Sequence, residues 1–244
     1  MKKKRAIVFG KGKWGKIFIS RLKSKVKIVK ILRSKDNFKN INCKNIDWIF
    51  ILTSTNKHFE ICNYFIKKCK NIFCEKPLTF NLNQSKELIK RAKKFKCNLY
   101  VSDVEKFKEK KIKLKKNNTI IRKKFSGDKH DLLFRYAYHD LYILSGLISI
   151  KKFRSFKLIK NEVGLISYSF RVQNILLKFT YSFNSSQKVH KINNCNLLLF
   201  KGNPLDQMIE RVILKKENVI ENNKNALNAI YVINKIKKNF IGYD

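Results

Sequence analysis

Apolar and polar residues along the amino-terminal part of the chain predict strands that alternate with helices. Short apolar runs, typical of buried strands, are followed in most cases by segments whose apolar residues recur every three or four positions, which is typical of amphipathic helices. This alternation favours a doubly wound α/β sheet with parallel strands. The predicted strands are Ala6–Phe9, Val26–Leu32, Asp47–Leu52, Asn71–Cys74 and Asn98–Val101.

The pattern changes in the second half of the chain. The lysine-rich run from Lys106 to Asn118 contains few apolar residues, so we place a domain boundary at its end. An extended segment (Thr119–Phe125) and a helix (Leu132–Leu147) are predicted next. Alternation with a period of two then predicts a largely antiparallel, open sheet, and the chain closes with a mixed segment after Pro204 and a helix. The predicted strands are Phe153–Ile159, Gly164–Val172, Ile175–Phe183, Lys188–Asn193 and Asn196–Phe200, and the final helix is Asn225–Phe240.

The charge of the chain is strongly positive, but its distribution argues against a basic binding face. The formal net charge is +39, which by itself favours a nucleic-acid or anionic-membrane partner. However, lysines occur in nearly every segment, and the abundant Lys, Asn, Ile and Phe are residues with A/T-rich codons. We therefore attribute the charge to compositional drift and predict neither a nucleic-acid nor a membrane partner.

The cysteines indicate a reducing compartment. The six cysteines form no CxxC pair and no Cys/His metal spacing, and most lie in apolar stretches, where reduced Cys packs as a small hydrophobe. The apolar stretch after the basic start is too short for an export signal, and no stretch reaches the roughly 18 apolar residues of a membrane span. We expect a cytoplasmic protein without a metal site.

A glycine motif follows the first strand directly. Residues 10–15 read Gly-Lys-Gly-Lys-Trp-Gly, a GxGxxG pattern between a strand and a helix, which is the context of a dinucleotide-binding turn. The first glycine permits the turn, the second admits a pyrophosphate, and the third lets the helix pack closely. We predict a dinucleotide-binding Rossmann domain over residues 1–118 and an α/β substrate or oligomerisation domain over residues 119–244. The cofactor contacts predicted here are Gly10, Gly12, Lys13, Trp14 and Gly15.

Arg33, Ser34 and Lys35 stand at the end of the second strand, where an NAD-binding fold places an acid on the ribose 2′-hydroxyl. Two cations and a hydroxyl suit a 2′-phosphate instead. We therefore predict NADP as the preferred cofactor, with NAD as the alternative, and assign Arg33 and Ser34 to it.

The third strand ends in the hydroxyl-rich turn Thr53-Ser54-Thr55, which is followed by His58. These hydroxyls can bind a ribose or the nicotinamide amide, and they can cap the next helix. A histidine at a helix start is more typical of a cap or surface group than of a catalyst. All four residues are assigned to the cofactor site.

Glu75, Lys76 and Pro77 follow the fourth strand. Pro77 fixes its own φ and pushes Lys76 away from helical conformations, so the chain turns where the strand stops. Ligands bind at the carboxyl ends of strands in such sheets. A lysine held there beside a carboxylate can hold a substrate oxygen or donate a proton, although a solvated ion pair in an ordinary turn has the same sequence.

His139 and Asp140 lie in the middle of the predicted helix Leu132–Leu147. An imidazole in an otherwise apolar helix is either a satisfied core residue or a general acid/base that faces a cleft. The sequence pattern alone leaves both interpretations open.

Taken together, these motifs resemble those of the Gfo/Idh/MocA family of nicotinamide-dependent sugar and inositol oxidoreductases. The matching features are the glycine turn at residues 10–15, the turn 53–58, Glu75-Lys76-Pro77, His139-Asp140, the carboxyl-terminal sheet and the final helix. The resemblance implies hydride transfer between nicotinamide and a hydroxyl or keto carbon of a sugar, sugar nucleotide or polyol. It implies that Lys76 holds the reacting oxygen, that His139 is the acid/base or orients the substrate, and that Glu75 helps to fix the cofactor ribose.

One departure from the family pattern concerns Arg135, which stands where an aspartate is frequent, four residues before the histidine. The arginine would either bind an anionic group of the substrate or signal lost catalysis, and Asp140 or Asp131 are candidates to replace the acid. The substrate contacts assigned on this basis are Lys76, Arg135, His139 and Asp140.

Two other functions remain open. The arginine is compatible with a non-catalytic dinucleotide-binding protein, and the charge with a basic nucleic-acid-binding protein, although the latter leaves the glycine turn unexplained. The carboxyl-terminal sheet offers a surface for a homo-oligomer.

Overall fold

The computed structural model describes residues 3–108, 110–124, 132–214 and 217–239. Its contacts group the chain into two compact units that are not continuous in sequence. Unit 1 consists of Met1–Phe107 and Asn203–Leu227, and unit 2 of Lys108–Gly202 and Asn228–Asp244. The two units are defined by contacts within the chain and do not test the domain boundary between residues 118 and 119, which stays a prediction.

Unit 1 contains a five-stranded sheet in which all neighbouring strands are parallel. Its strands are β1 (Arg5–Phe9), β2 (Lys27–Leu32), β3 (Trp48–Ile51), β4 (Asn71–Cys74) and β5 (Asn98–Val101). Their order across the sheet is β2-β1-β3-β4-β5, so the direction of strand addition reverses between β1 and β3. In open α/β sheets the ligand crevice lies outside the carboxyl ends of the strands at such a reversal.

Three helices connect these strands and explain why the central strands β3 and β4 are almost entirely buried. They are α1 (Lys13–Leu22), α2 (His58–Phe65) and α3 (Leu82–Lys94). Helices on both faces of a parallel sheet bury both faces, and β3 and β4 accordingly have almost no exposed residue. The β2–β3 connection, residues 33–47, contains no helix; its Phe38 is buried and packs edge-on against Phe9, with ring centroids 6.1 Å apart.

The mixed segment expected after Pro204 is in fact a helix of unit 1, α5 (Pro204–Ile213). Pro204 occupies its first turn, and the Asn203 side chain accepts hydrogen bonds from the backbone N–H groups of Leu205 and Asp206. Leu205, Met208 and Ile209 join the apolar core below the sheet. The start of the next helix, α6 (Val219–Lys238), also belongs to this unit.

Asn222 of α6 ties this helix to the edge strand β5. Its side-chain oxygen accepts the backbone N–H of Val101 at 2.9 Å, and its side-chain nitrogen donates to the Val101 carbonyl at 2.8 Å. One buried amide thus pairs with the backbone donor and acceptor of Val101.

Unit 2 contains a six-stranded sheet, whose strands are β6 (Asn117–Lys123), β7 (Arg154–Glu162), β8 (Leu165–Val172), β9 (Ile175–Ser182), β10 (Val189–Ile192) and β11 (Cys195–Asn196). One pair of neighbouring strands, β6 and β9, is parallel and the others are antiparallel. The strand order is β11-β10-β6-β9-β8-β7. Of the segment predicted as strand 196–200, only Asn196 lies in a strand, the two-residue β11.

The predicted fold class is confirmed: a Rossmann-type parallel sheet together with a second, mostly antiparallel sheet. Within the described residues, none of the helices combines the length and the apolarity that crossing a membrane requires.

Candidate functional site

The three glycines of the turn between β1 and α1 are each needed for a different physical reason. Gly10 has φ +105°, and a Cβ atom there would lie 2.4 Å from the carbonyl oxygen of Leu52. A Cβ atom on Gly15 would lie 2.5 Å from the carbonyl oxygen of Gly10, whereas one on Gly12 would meet no atom of the described residues within 4 Å. Gly10 and Gly15 are therefore required by the turn and its packing. Gly12 faces open space, which is what a backbone that a phosphate approaches requires.

The first turn of α1 is suited to an anion. Gly12 is the residue that precedes the helix, and it supplies no side-chain cap. The first turn contains no acid, while Lys13 and Lys16 bring positive charge to the positive end of the helix dipole. Free N–H groups and cations at one helix start favour a phosphate-bearing ligand.

A cleft of about 490 Å³ opens beside this turn. Its size is that of a small-molecule site. It lies at the carboxyl ends of β1, β2 and β3, at the reversal in strand order. Among the predicted cofactor residues, Gly10, Gly12, Arg33, Ser34, Thr53 and Ser54 line it, together with Lys11, Lys16 and Leu52, which were not predicted. Lys16 was recognisable in the sequence as a cation in the first turn of α1.

Arg33 and Ser34 are presented to the cleft by a tight turn. The Asp36 carboxylate accepts the backbone N–H of Arg33 at 2.7 Å, and the backbone N–H of Asp36 donates to the Arg33 carbonyl at 3.2 Å. The acid nearest to the end of β2 is thus bonded to its own turn. The side chains that line the cleft here are a cation and a hydroxyl.

The turn after β3 forms a short 3₁₀ helix, Thr55–Lys57, before α2 begins. The prediction that its hydroxyls cap α2 is wrong: Lys57 precedes α2, and neither the Lys57 side chain nor that of Ser54, which precedes the 3₁₀ helix, forms a cap. Ser54 Oγ donates instead to Asn56 Oδ1 at 2.6 Å. Thr53 Oγ1 is buried at the cleft and has no hydrogen-bond partner among the described residues.

His58 is fully buried, so the expectation of a cap or surface group is wrong. Its Nδ1 lies 2.9 Å from the Pro77 carbonyl oxygen and its Nε2 lies 3.0 Å from the Thr53 carbonyl oxygen. Burial lowers the pKa of His58, while its hydrogen bonds to Thr53 and Pro77 and the charge of Glu75 act in the opposite direction. Its predicted contact with the cofactor stays a prediction.

Glu75 and Lys76 lie at the carboxyl end of β4, one strand away from the Thr53 turn. The Glu75 N–H donates to the Ile51 carbonyl at 2.8 Å, which extends the β3–β4 ladder by one bond. Glu75 Oε2 accepts the Lys76 N–H at 3.3 Å, and Glu75 Oε1 is buried without a hydrogen-bond partner among the described residues. Both side chains are half-buried, and the Lys76–Pro77 bond is cis.

The helix that carries His139 in unit 2 begins irregularly. Leu133–Ala137 forms a π-helical turn, which continues as α4 (Tyr138–Ser145). Arg135 lies in the π-helical turn, half-buried, with its guanidinium carbon 5.8 Å from the centre of the Phe183 ring. His139 is 7% exposed. Single π-helical turns inside helices are frequent at functional sites.

Asp140 faces the interior of unit 2. Its Oδ1 lies 2.8 Å from Nε2 of His190 on β10, and neither side chain is more than 2% exposed. Burial, and then the charge of Asp140, raise the pKa values of Tyr168 and Tyr181. This geometry favours a role in anchoring the helix, and the predicted substrate contact of Asp140 stays a prediction. Asp131, the other candidate acid, lies outside the described residues.

The residues of unit 1 fit a nicotinamide dinucleotide. An open backbone at Gly12 and uncapped N–H groups suit the pyrophosphate. The orphaned buried oxygens Thr53 Oγ1 and Glu75 Oε1 are acceptors of the kind that ribose hydroxyls or a carboxamide satisfy. The roles predicted for Lys13, Trp14, Thr55 and Lys76, which do not line the cleft, stay predictions.

Comparisons with known proteins agree with this geometry. The family model of the oxidoreductase family with an NAD-binding Rossmann fold (Gfo/Idh/MocA) matches residues 29–103. The myo-inositol 2-dehydrogenase of Thermotoga maritima is 35% identical over 89 residues, which are 35% of this chain and 27% of that enzyme. The chain thus aligns with about a quarter of that relative.

Solved structures extend the likeness in fold to the whole chain. The UDP-N-acetylglucosamine 3-dehydrogenase of Acidithiobacillus ferrooxidans superimposes with a TM-score of 0.85 over 98% of both chains, at 12% identity. The WlbA dehydrogenase of Thermus thermophilus, solved in complex with NAD and UDP-GlcNAcA, gives 0.72 over 94% of both chains, at 9% identity. With its Rossmann unit, glycine turn and Glu-Lys-Pro turn, this chain is similar to the Gfo/Idh/MocA family of NAD-binding oxidoreductases, and the resemblance stated from the sequence is confirmed.

Proposed function

We propose that this protein is an NADP(H)-dependent dehydrogenase or reductase that acts on a CH–OH carbon of a sugar nucleotide or a related sugar or polyol. One observation carries the proposal: the phosphate-binding turn, the Arg33–Ser34 pair and the Thr53 turn line one cleft, and Glu75–Lys76 stands at the next strand end of the same sheet. A dinucleotide site beside a half-buried lysine is the arrangement that hydride transfer to a carbonyl carbon requires.

The preference for NADP over NAD rests on the turn after β2. In an NAD site, an acid at this strand end accepts the ribose 2′-hydroxyl. Here Asp36 bonds the Arg33 backbone, and Arg33 and Ser34 line the cleft. A guanidinium and a hydroxyl bind a 2′-phosphate by charge-assisted hydrogen bonds.

The bound cofactor would supply the hydride acceptor or donor, and the protein handles the proton. Lys76 holds the reacting oxygen of the substrate and exchanges a proton with it, so that an alcohol loses one proton and one hydride as it becomes a ketone. Glu75 Oε1 holds the cofactor ribose. His139 orients the substrate or serves as a second acid/base. His139 is almost completely buried and lies in α4, which follows a π-helical turn directly, and these two features support its assignment to the substrate site.

A sugar nucleotide is the substrate class that Arg135 favours. A guanidinium in place of an acid suits a phosphate or carboxylate group of the substrate. The two structural relatives described above include an enzyme named for UDP-N-acetylglucosamine and one solved with UDP-GlcNAcA. We extend the proposal to a homo-oligomer that forms through the unit 2 sheet and to a cytoplasmic location.

The test is a titration of the protein with NADPH and with NADH at physiological salt, with poly-dT as a control polyanion. Trp14 is exposed in the glycine turn, whereas Trp48 is buried in the core. If the ligand quenches tryptophan fluorescence in wild type but not in a Trp14→Phe variant, the quenching reports binding near the glycine turn. We expect saturable NADPH binding, weaker NADH binding and salt-sensitive poly-dT binding. Turnover of UDP-sugars, free sugars and inositols is then measured in wild type and in Lys76→Met, which should bind NADPH normally and lose turnover.

Two results would replace this proposal. Tight NADPH binding without turnover of any sugar would favour the non-catalytic dinucleotide-binding protein, for which Arg135 is the supporting observation. Binding of poly-dT alone would favour a nucleic-acid-binding protein.

A further inference from the structure

The imidazole ring of His58 lies between two loops of unit 1. One ring nitrogen contacts the carbonyl of Pro77 at 2.9 Å and the other contacts the carbonyl of Thr53 at 3.0 Å. The side chain has no exposed surface. Because both ring nitrogens face backbone carbonyls, the ring has no further polar atom to offer a ligand.

The two loops have different roles in the proposed function. Thr53 lines the cleft, and Pro77 directly follows Lys76. The β3–β4 ladder reaches as far as the bond from Glu75 N–H to the Ile51 carbonyl. Beyond that bond, the His58 ring continues the connection between the two loops, on the side of α2.

The number of protons on the imidazole ring determines how many of the two carbonyls it can donate a hydrogen bond to. A neutral imidazole has one N–H group, so each tautomer donates to one of the two carbonyls, and the protonated ring donates to both. Of the charged groups around the ring, Glu75 is the one that favours the protonated form. Lys57, beside it in sequence, is exposed and pairs with Glu60 at 3.5 Å.

We infer that His58 is a positioning residue, which fixes the loop that faces the cofactor to the turn that carries Lys76. The assignment of the two loops to cofactor and proton transfer rests on the proposed function. The link between the loops does not, because it is a matter of geometry within unit 1.

Two substitutions separate the two contacts. The side-chain nitrogen of Asn takes about the place of Nδ1, and that of Gln takes about the place of Nε2. His58→Asn therefore keeps the contact to Pro77 and loses the contact to Thr53, while His58→Gln does the reverse. Lys57→Gln, an exposed neighbour, is the matched control.

Hydrogen–deuterium exchange of the ligand-free protein measures the loops directly. Because the neutral ring donates to one carbonyl at a time, the larger effect belongs to the variant that loses the donated bond: where the ring donates to Thr53, His58→Asn should speed amide exchange in residues 52–57 by about threefold to tenfold and leave residues 75–79 unchanged. Where the ring donates to Pro77, His58→Gln should do the opposite, and Lys57→Gln should change neither segment. A generally weakened fold would instead speed exchange in both segments in both variants.

Binding and turnover give the second measurement. His58→Asn should weaken NADPH binding by about threefold to tenfold, whereas His58→Gln should bind NADPH within about twofold of wild type and lower kcat. In wild type, slow solvent exchange of the His58 ring N–H proton, followed by NMR, checks the contact without a substitution. The complementary pattern supports the inference, and so does loosening of one loop only, in the variant that loses the contact to that loop; the same loop loosened by both variants, or no loosening by either, overturns it. If wild type binds no dinucleotide, the proposed function fails while the exchange pattern still decides the role of His58.

Discussion

Substitution of Gly12 by alanine, which adds a single methyl group, tests cofactor binding with little effect on folding. In Gly12→Ala, the added Cβ meets no atom of the described residues within 4 Å, and φ −70° with ψ −175° is open to any residue. Replacing a glycine reduces the conformational entropy of the unfolded chain, which raises the free energy of unfolding by about 0.4–1 kcal/mol. Alanine is a less favourable N-cap residue than glycine, which lowers the free energy of unfolding by up to about 1 kcal/mol. The two effects nearly cancel, so we expect the melting temperature to change by less than about 4 °C.

The effect on binding should be much larger. The methyl group would occupy the space through which a pyrophosphate reaches the start of α1, and each lost charge-assisted hydrogen bond costs about 1.5–3 kcal/mol. We therefore expect the Kd for NADPH to rise about 10- to 150-fold, measured by isothermal titration calorimetry alongside scanning calorimetry of the free protein.

Gly15→Ala is the matched comparison. Its Cβ would lie 2.5 Å from the Gly10 carbonyl oxygen, so the turn or the helix must move. Overpacking of this kind costs about 1–3 kcal/mol, and we expect a melting temperature lower by several degrees as well as lost binding. Wild-type affinity in Gly12→Ala, or a loss of stability as large as in Gly15→Ala, would refute the assignment of Gly12 to a ligand.

Three further predictions concern other residues. Arg33→Ala should weaken NADPH binding about tenfold or more and leave NADH binding within about twofold, in the same calorimetric titrations. Because burial lowers the pKa of His58, the unfolded chain binds a proton at this residue before the folded chain does as the pH falls below about 6.5. The urea concentration at the unfolding midpoint should therefore decrease as the pH is lowered from about 7.5 to about 5.5, and His58→Asn should make this decrease smaller. Asp140→Leu, which removes the buried 2.8 Å contact to Nε2 of His190, should lower the unfolding free energy by about 3–5 kcal/mol in urea titrations, whereas Glu162→Gln, which removes an exposed ion pair, should cost less than about 1 kcal/mol.

Local signals explain why most of unit 1 could be predicted from the sequence. The strands of a parallel sheet are buried on both faces, so they appear as apolar runs, and the glycine turn is recognisable because it sits between such a run and a helix. The same kind of signal is present in α5. Leu205, Met208, Ile209 and Val212 have helical spacing, after an Asn-Pro start that is typical of a helix.

Contacts between distant residues account for what the sequence could not predict. His58 is buried because it contacts Pro77, 19 positions away, and Asp140 because β10 brings His190 to it from 50 positions away. Each contact depends on how elements pack, and no spacing rule within one segment contains that information. The π-helical turn before α4 is likewise absent from the apolar pattern, which predicts one regular helix.

The amide of Asn222 has a consequence for solubility. β5 is the last strand on its side of the unit 1 sheet, and an unpaired strand edge is a template on which another chain can add a strand. At Val101, Asn222 already occupies both the backbone donor and the backbone acceptor. A foreign strand would have to displace this amide before it could pair along the carboxyl end of β5, so one side chain of α6 protects this edge against aggregation.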